Sequence, residues 1–242
     1  SSCQTRNAIL NSDSRVSADL IITKNNLIND VLVCSTSISI PSTVKLELRE
    51  GVILKSSSTN SQLNVSGRFV CAGTAANPVI LTVLADDTAG GDTNLDGTAT
   101  APSPGLWRGV SLSSGSNPIS LDHMIIRYGG NAGVPGLSMN AVDLTMTNSA
   151  IEFCLDEGID LGTANFSPVI QNCRFDSNGR AMERLRLANL KNMRDNSATG
   201  NTVANVARVT TGVVGADDVI CRRALLGGVL TIDATMTVGA GQ

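Results

Sequence analysis

The chain has 242 residues, of which 16% are charged and only 2% are aromatic, and its formal net charge is −3. This balance, with no long basic run, excludes the electrostatic signature of a nucleic-acid-binding protein. No apolar run approaches the roughly 20 residues that cross a bilayer as a helix. Ser, Thr, Asn and Gly carry most of the surface, a composition that favours a protein of short strands and turns that is secreted or displayed on the cell surface.

Short alternating apolar runs begin near residue 31. The runs Leu46–Leu48 and Leu63–Val65 lie 17 residues apart, and each leads into a glycine turn, at Gly51 or Gly67. Short strands at a regular spacing, ended by Gly, Asn or Ser, are typical of the coils of a parallel β-helix. Residues 1–30 have a weaker pattern and are predicted to form a cap or linking segment, because an uncovered solenoid end exposes strand edges.

An acidic insertion at residues 85–105 separates two apolar strand-like runs. Within it, Asp92, Asn94 and Asp96 have the first, third and fifth spacing of a calcium loop, and Gly97 follows where such a loop turns sharply. The twelfth position would be Ser103 instead of a bidentate Glu, so a complete EF-hand is not expected.

The crowded oxygens of this insertion predict a structural Ca²⁺ site. Carboxylates on one turn repel one another unless a cation lies among them. We predict that Asp92, Asn94 and Asp96, helped by Asp86 or Asp87, hold one Ca²⁺ and order the insertion. The alternative is a solvated acidic turn.

Downstream of the insertion, one short sequence motif recurs about every 25 residues. It consists of an apolar residue, a polar residue two positions later and an apolar residue three positions after that. It occurs at Leu121–Ile126, Met146–Ile151 and Ile170–Phe175, with a looser copy at Leu187–Asn189. Stacked coils would place the apolar residues inside and the polar residue at a corner. His123 is therefore predicted to be a corner residue and not a catalytic base. In total, we expect a right-handed parallel β-helix of about eight to ten coils.

The segment Arg180–Arg194 contains good helix formers and could be a short helix. Its residues Leu185–Leu187 alternate, however, and this favours a strand.

The C-terminal segment, residues 219–242, resembles the start of a further repeat unit. Asp218–Cys221 is similar to Asp30–Cys34, so the β-helix proper is assigned to residues 31–218. This likeness predicts that copies of the chain stack end to end into filaments, since a second unit would pair the open strand edges. The alternative is a monomer capped at both ends.

An even number of cysteines favours at least one disulfide in an oxidising compartment, although buried free thiols are the alternative. The pairing does not follow from their spacing, and no zinc-binding pattern is present. The six are Cys3, Cys34, Cys71, Cys154, Cys173 and Cys221.

An ordered set of short sequence motifs resembles a known group of proteins over about residues 31–196. The motifs are Glu50–Lys55, Leu63–Gly67, Gly73–Thr82, Gly91–Asn94, Trp107–Val110 and Ile126–Gly130. They resemble the right-handed parallel β-helix, pectate-lyase-like repeat proteins of bacterial surfaces and secretions. The resemblance implies the fold, secretion and an acidic insertion. It implies no single activity, because that group includes lyases, adhesins and structural parts of exported proteins.

Few residues offer the chemistry of an enzyme. A polysaccharide lyase needs a cation and a basic residue that removes a proton. The candidate bases Arg108 and Arg127 lie in repeated motifs of the solenoid and are predicted to belong to the scaffold. A glycosidase needs two facing carboxylates, and Asp156, Glu157 and Asp160 could supply them or a small cation site, although a polar corner is favoured.

The remaining candidates are predicted to be structural. Trp107 and Tyr128 flank strands and are expected to pack in the core or at corners. One basic concentration could meet an acidic glycan or a neighbouring subunit, although a solvated face is favoured. It consists of Arg180, Arg184, Arg186, Lys191 and Arg194.

These observations favour a non-catalytic extracellular structural or adhesive β-helix module, stabilised by Ca²⁺ and interacting with copies of itself or with glycans. The alternative is a Ca²⁺-dependent polysaccharide lyase or glycoside hydrolase.

Overall fold

A computed structural model describes residues 9–11, 13–113, 118–131, 133–162, 166–214, 230–232 and 236–238. Within these residues the chain forms about seven turns of a parallel β-solenoid, and this confirms the predicted all-β, parallel β-helix fold. The described residues thus form fewer turns than the eight to ten coils predicted, because each coil uses three strands and the acidic insertion lengthens the chain without adding a turn. No helix in this described part is long and apolar enough to cross a membrane.

Three parallel sheets run the length of the solenoid. Sheet 1 consists of β1 (Ile9–Asn11), β3 (Val31–Cys34), β6 (Ile53–Ser56), β9 (Val79–Val83), β12 (Met124–Arg127), β15 (Ala150–Glu152), β18 (Arg174–Asp176) and β21 (Ser197–Thr199). Sheet 2 consists of β4 (Ile38–Ile40), β7 (Leu63–Val65), β10 (Val110–Leu112), β13 (Leu137–Met139), β16 (Glu157–Asp160), β19 (Arg180–Arg186), β22 (Ala204–Val214) and β23 (Leu230–Ile232), with β24 (Met236–Val238) paired to β22. Sheet 3 consists of β2 (Leu20–Ile22), β5 (Lys45–Arg49), β8 (Arg68–Ala72), β11 (Ile119–Asp122), β14 (Leu144–Thr147), β17 (Val169–Gln171) and β20 (Met193–Arg194). Two short 3₁₀ helices, Lys24–Asn26 and Leu187–Asn192, complete the regular structure.

The core consists of apolar ladders in which each inward side chain contacts the equivalent side chain of the next coil. In sheet 1, one ladder runs through Leu54, Leu81, Ile126, Ile151 and Phe175, with every step in register. All five side chains are buried. Because successive strand residues point to opposite faces, this register also places the alternate residues of each strand on the outer surface.

The corner prediction is confirmed. His123, Asn148 and Asn172 have left-handed backbones, with φ of 48°, 51° and 54°. Asn and His tolerate this conformation better than most residues, which explains why polar residues recur between sheet 3 and sheet 1.

The prediction that Leu187–Asn189 is a looser copy of this motif was wrong. These residues lie in the second 3₁₀ helix. The next coil is instead continued by Met193, which pairs with Ile170, and by Asp195, which takes the left-handed corner with φ of 58°. The strand favoured for this region is present as β19 and β20, on either side of the 3₁₀ helix.

The prediction that the 17-residue spacing between Leu46 and Leu63 is a coil repeat was also wrong. Leu46 lies in sheet 3 and pairs with Phe69, whereas Leu63 lies in sheet 2 and pairs with Ile38. The two runs belong to different faces of the solenoid, so their likeness reflects strand alternation and not equivalence.

Buried asparagines fix the coils to one another, a feature that the sequence did not reveal. Asn178 is fully buried; its Oδ1 accepts a hydrogen bond from the Cys154 N–H and its Nδ2 donates to the Ile151 carbonyl, both at 2.9 Å. Asn196 makes the same two contacts with Cys173 and the Ile170 carbonyl. Each side chain therefore satisfies a backbone N–H at the end of a strand of the preceding coil, and adds a second hydrogen bond to a carbonyl that the strand ladder also pairs.

The expected disulfide finds no support in the described cysteines. Cys71, Cys154 and Cys173 are free thiols, and they are buried along the core together with Cys34. Cys3 and Cys221 lie outside the described residues.

The two ends contribute strands to the solenoid. Before residue 31, β1 pairs with β3 and β2 pairs with β5. After residue 218, β23 and β24 both pair with β22. The repeated phrase Asp218–Cys221 lies outside the described residues.

Candidate functional site

The acidic insertion folds back over the outer face of sheet 1. Its residue Ala89 is buried against an outward-facing apolar patch formed by Val31, Val33 and Ile53. Gly90 has φ of 69°, and a side chain there would collide with Val31. The insertion therefore has its own small hydrophobic contact with the sheet, in addition to its polar groups.

A lysine lies beneath the insertion. Lys55 points outward from β6 and is fully buried, and its Nζ donates to the Gly91 carbonyl at 2.9 Å and to Thr93 Oγ1 at 2.8 Å. Burial lowers the pKa of Lys55, while the nearby carboxylates of Asp86 and Asp87 oppose this shift. The ammonium group supplies a fixed positive charge under an otherwise acidic segment.

Three carboxylates converge at the surface of the insertion. Ligand oxygens of Asp87, Asp92 and Asp96 all lie within 4.8 Å of one another. Asp92 shapes the turn by accepting hydrogen bonds from the backbone N–H of Asp96 at 3.2 Å and of Gly97 at 2.9 Å. Asn94 joins the group through Nδ2, which donates to Asp96 at 2.6 Å.

One oxygen of each of three side chains in this group has no hydrogen-bond donor among the described residues. These atoms, Oδ1 of Asp87, Asn94 and Asp96, are also shielded from solvent. A shielded polar atom without a partner costs about 1–3 kcal/mol. Burial raises the pKa of Asp87, and repulsion from Asp92 raises it further. Carboxylate and amide oxygens are the type of ligand that Ca²⁺ prefers.

Asp86 points away from this group. It is fully buried, accepts hydrogen bonds from Thr82 Oγ1 at 2.7 Å and Thr88 Oγ1 at 2.6 Å, and lies 3.5 Å from Arg127 Nη1. Of the two alternative helpers in the predicted ligand set, the geometry therefore groups Asp87 with Asp92, Asn94 and Asp96, and gives Asp86 a role in anchoring the insertion.

Arg127 connects the insertion to the solenoid. Its Nε lies 2.6 Å from Glu152 Oε1, and Arg174 contacts the other oxygen of Glu152 at 2.9 Å. Arg174 also pairs with Asp176 at 2.7 Å. Together with Asp86, these residues form a chain of alternating charges, here called the sheet 1 ion-pair chain, across the outer faces of β12, β15 and β18. Arg127 is thus held between two carboxylates.

The aromatic residues have structural positions. Trp107 is buried, and its indole N–H donates to the Arg127 carbonyl at 2.8 Å. Tyr128 stacks on Phe153 with ring centroids 5.3 Å apart.

On the outer face of sheet 2, arginines of one coil pair with carboxylates of the preceding coil. Arg180 lies 3.0 Å from Glu157, and Arg184 pairs with Asp160 through two hydrogen bonds. Two members of the predicted basic concentration are therefore neutralised, and two of the predicted carboxylates are engaged by arginine. The same sequence signal, an acid and an arginine one coil apart, also occurs at Glu152 and Arg174.

Comparison of the chain with protein-family models, curated proteins and solved structures finds no match. The parallel β-helix rests on the structure itself, and the pectate-lyase-like family stays a prediction.

Proposed function

We propose that this chain is a non-catalytic extracellular structural or adhesive module of the pectate-lyase-like β-helix type, in which the acidic insertion binds Ca²⁺. The observation that carries the proposal is the contrast between two sets of charged groups. Three of the candidate catalytic residues, Arg127, Glu157 and Asp160, are bound in ion pairs, whereas Asp87 and Asp96 keep shielded oxygens that no described residue donates to.

Ca²⁺ would replace the missing donors and neutralise the repulsion between the carboxylates. Free Ca²⁺ at 100 times its dissociation constant should stabilise the protein by about 2.7 kcal/mol. For a chain of this size, that corresponds to a rise in Tm of about 5–10 °C. Calorimetric titration and thermal melts with and without chelator measure both quantities.

A matched pair of variants locates the site. The double variant Asp87→Asn, Asp96→Asn removes two charges but keeps Asp92, which shapes the turn, and it should lose Ca²⁺ binding. Asp143→Asn removes an exposed carboxylate just before β14 and should bind Ca²⁺ like the wild type. Absence of calorimetric binding to the wild type, together with an unchanged Tm after chelation, would reject the site.

End-to-end association is part of the proposal. It is supported by the N-terminal end of the solenoid, where β2 is an edge strand among the described residues and a cavity of about 430 Å³ opens beside the exposed side chain of Leu20. A stacked copy would cover this apolar surface and pair the edge of β2. Light scattering over a range of concentrations should show growing assemblies that are lost when residues 229–242 are deleted. A concentration-independent monomer of the whole chain would refute stacking.

The alternative, a Ca²⁺-dependent lyase or hydrolase, is favoured by one observation. Asp160 and Glu183 are register partners on the outer face of sheet 2, and Glu183 Oε2 is shielded and lacks a donor among the described residues. Burial raises the pKa of Glu183, as general acid catalysis requires. Unsaturated or reducing products from uronate polymers, lost in Glu183→Gln, would establish an enzyme and refute the non-catalytic proposal.

A further inference from the structure

Asn178 and Gly179 form the only Asn-Gly pair in the sequence, and they lie at the corner between sheet 1 and sheet 2. In a flexible chain, the backbone nitrogen that follows an asparagine can attack the side-chain amide. Glycine favours this reaction because it has no side chain to obstruct the approach and adopts almost any backbone conformation. The pair is therefore chemically labile wherever the chain is free to move.

The fold requires both members of this pair. A Cβ added at Gly179 would lie 2.7 Å from the carbonyl oxygens of both Leu155 and Asp156, closer than real contacts allow. Asn178 accepts the hydrogen bond of the buried Cys154 N–H at 2.9 Å. Replacing either member by a less reactive residue would thus create a clash or remove a hydrogen bond.

The folded solenoid immobilises the groups that would react. The Asn178 side chain is fully buried and hydrogen-bonded through both Oδ1 and Nδ2. The Gly179 N–H donates to the Asp156 carbonyl at 2.7 Å and to the Cys154 carbonyl at 3.1 Å. The Asn178 N–H donates to Asn201 Oδ1 at 2.8 Å. Attack requires the Gly179 nitrogen to lose its proton and approach Asn178 Cγ, so these contacts must break first.

We infer that Asn178 is a deamidation site that folding blocks, and that a chain left unfolded over these coils is modified there and does not regain them. The Gly179 nitrogen bonds to Asn178 Cγ, the bond from Cγ to the side-chain nitrogen breaks, and ammonia leaves with the proton of the Gly179 N–H. Water then opens the succinimide ring at either carbonyl carbon, which gives aspartate or isoaspartate. This inference goes beyond the proposed function and does not depend on Ca²⁺ binding or stacking.

Neither product fits the native corner. In aspartate, a carboxylate oxygen takes the place of the Nδ2 that now donates to the Ile151 carbonyl at 2.9 Å, so two oxygens face each other. The charge of this carboxylate would also be buried without a partner, which is strongly unfavourable. Isoaspartate adds a methylene group to the main chain and would shift β19 relative to β16.

The first test compares the whole chain in native buffer and in guanidinium chloride, both mildly alkaline and with a thiol reductant. Peptide mapping by mass spectrometry follows the conversion of Asn178. We expect it to be at least about 100-fold slower in the native protein, because the open state is rarely populated. Asn196, which makes the same two contacts but precedes Ser197, is the internal control. In denaturant it should convert at least about tenfold more slowly than Asn178.

Refolding tests the consequence of the modification. Samples are diluted from denaturant after increasing times, and the fraction that regains the native fluorescence of Trp107 should fall in step with the conversion of Asn178. A parallel incubation in mildly acidic denaturant, where the Gly179 nitrogen keeps its proton, should preserve the refolding yield. Equal conversion in the native and denatured proteins, equal conversion of Asn178 and Asn196 in denaturant, or native refolding of the modified chain would overturn the inference.

The variant Asn178→Asp reproduces one product directly. Its Tm at neutral pH should be lower than that of the wild type by about 4 °C or more. The difference should shrink on acidification, because the protonated carboxyl can donate to the Ile151 carbonyl as the amide does. Asn140→Asp, at an exposed position, should match the wild type at both pH values. Failure of Asn178→Asp to fold at neutral pH would support the inference, whereas a wild-type Tm there would overturn it.

Discussion

Replacing Arg127 by methionine should destabilise the protein by separating Asp86 from the rest of the sheet 1 ion-pair chain. Methionine keeps most of the buried stem but removes the guanidinium that faces Asp86 and Glu152. Both carboxylates are almost completely buried, whereas Arg127 is itself about 20% exposed. Removing one partner of a buried ion pair costs about 3–5 kcal/mol.

The expected cost lies at the low end of that range, because each carboxylate keeps other partners. Glu152 retains Arg174, and Asp86 retains the hydroxyls of Thr82 and Thr88. We therefore expect a loss of about 3 kcal/mol, equivalent to a fall in Tm of about 6–12 °C.

Denaturant titration monitored by the single tryptophan suits this measurement, since Trp107 is buried and donates to the Arg127 carbonyl. Arg68→Met, an exposed arginine on sheet 3, serves as the control and should stay within about 0.5 kcal/mol of the wild type. A double-mutant cycle with Glu152→Gln should give a coupling energy of about 1–3 kcal/mol. A loss below about 0.5 kcal/mol for Arg127→Met would refute the reasoning that these carboxylates depend on Arg127.

Three further predictions concern buried polar groups. Lys55→Met should lower Tm in chelator, because the acidic insertion loses its internal positive charge and two hydrogen bonds, and added Ca²⁺ should reduce the deficit. Asn178→Ala should cost about 1–3 kcal/mol of unfolding free energy, because it leaves the buried Cys154 N–H unpaired. Burial raises the pKa of Cys154 to about 12 and of Cys173 to about 11. Stability from these thiols should therefore be complete below about pH 9 and fall by about 1.4 kcal/mol per pH unit and thiol, up to about pH 11 for Cys173 and about pH 12 for Cys154.

The two substitutions have matched control variants, and the thiol prediction has a direct chemical check. Lys45→Met removes a lysine of sheet 3 that pairs with Glu47, and a Ca²⁺-dependent deficit there would contradict the role of Lys55. Asn140→Ala removes an exposed asparagine. A loss of unfolding free energy equal to that of Asn178→Ala would argue against a stabilising role for the hydrogen bonds of Asn178. Rapid alkylation of Cys154 in the native protein at neutral pH, detected by mass spectrometry, would contradict its burial.

The sequence predicts the core of this fold well where the inward and corner positions alternate strictly. Ile126, Ile151 and Phe175 were assigned to one ladder from their spacing alone, and the structure pairs them in register. The same approach failed at Leu46 and Leu63, because alternation has the same period in every sheet and does not identify which of three sheets a strand joins.

The candidate site was only partly predictable. The spacing of Asp92 and Asp96 on one turn shows that their oxygens are near each other. The sequence does not show that Asp86 turns inward while Asp87 turns outward, since both adjoin the same strand. The sequence does not identify Lys55 as part of the site, because its partners Gly91 and Thr93 contact it only after the insertion folds back.

The acidic insertion leaves the stacking of the coils untouched. Leu81 and Ile126 flank it and are almost twice as far apart in sequence as Ile126 and Ile151, yet both pairs are in register. Residues inserted at this corner therefore do not disturb the register of the core ladders. A different segment could be grafted between Leu84 and Trp107, which would change the outer surface while the coils beneath keep their stacking.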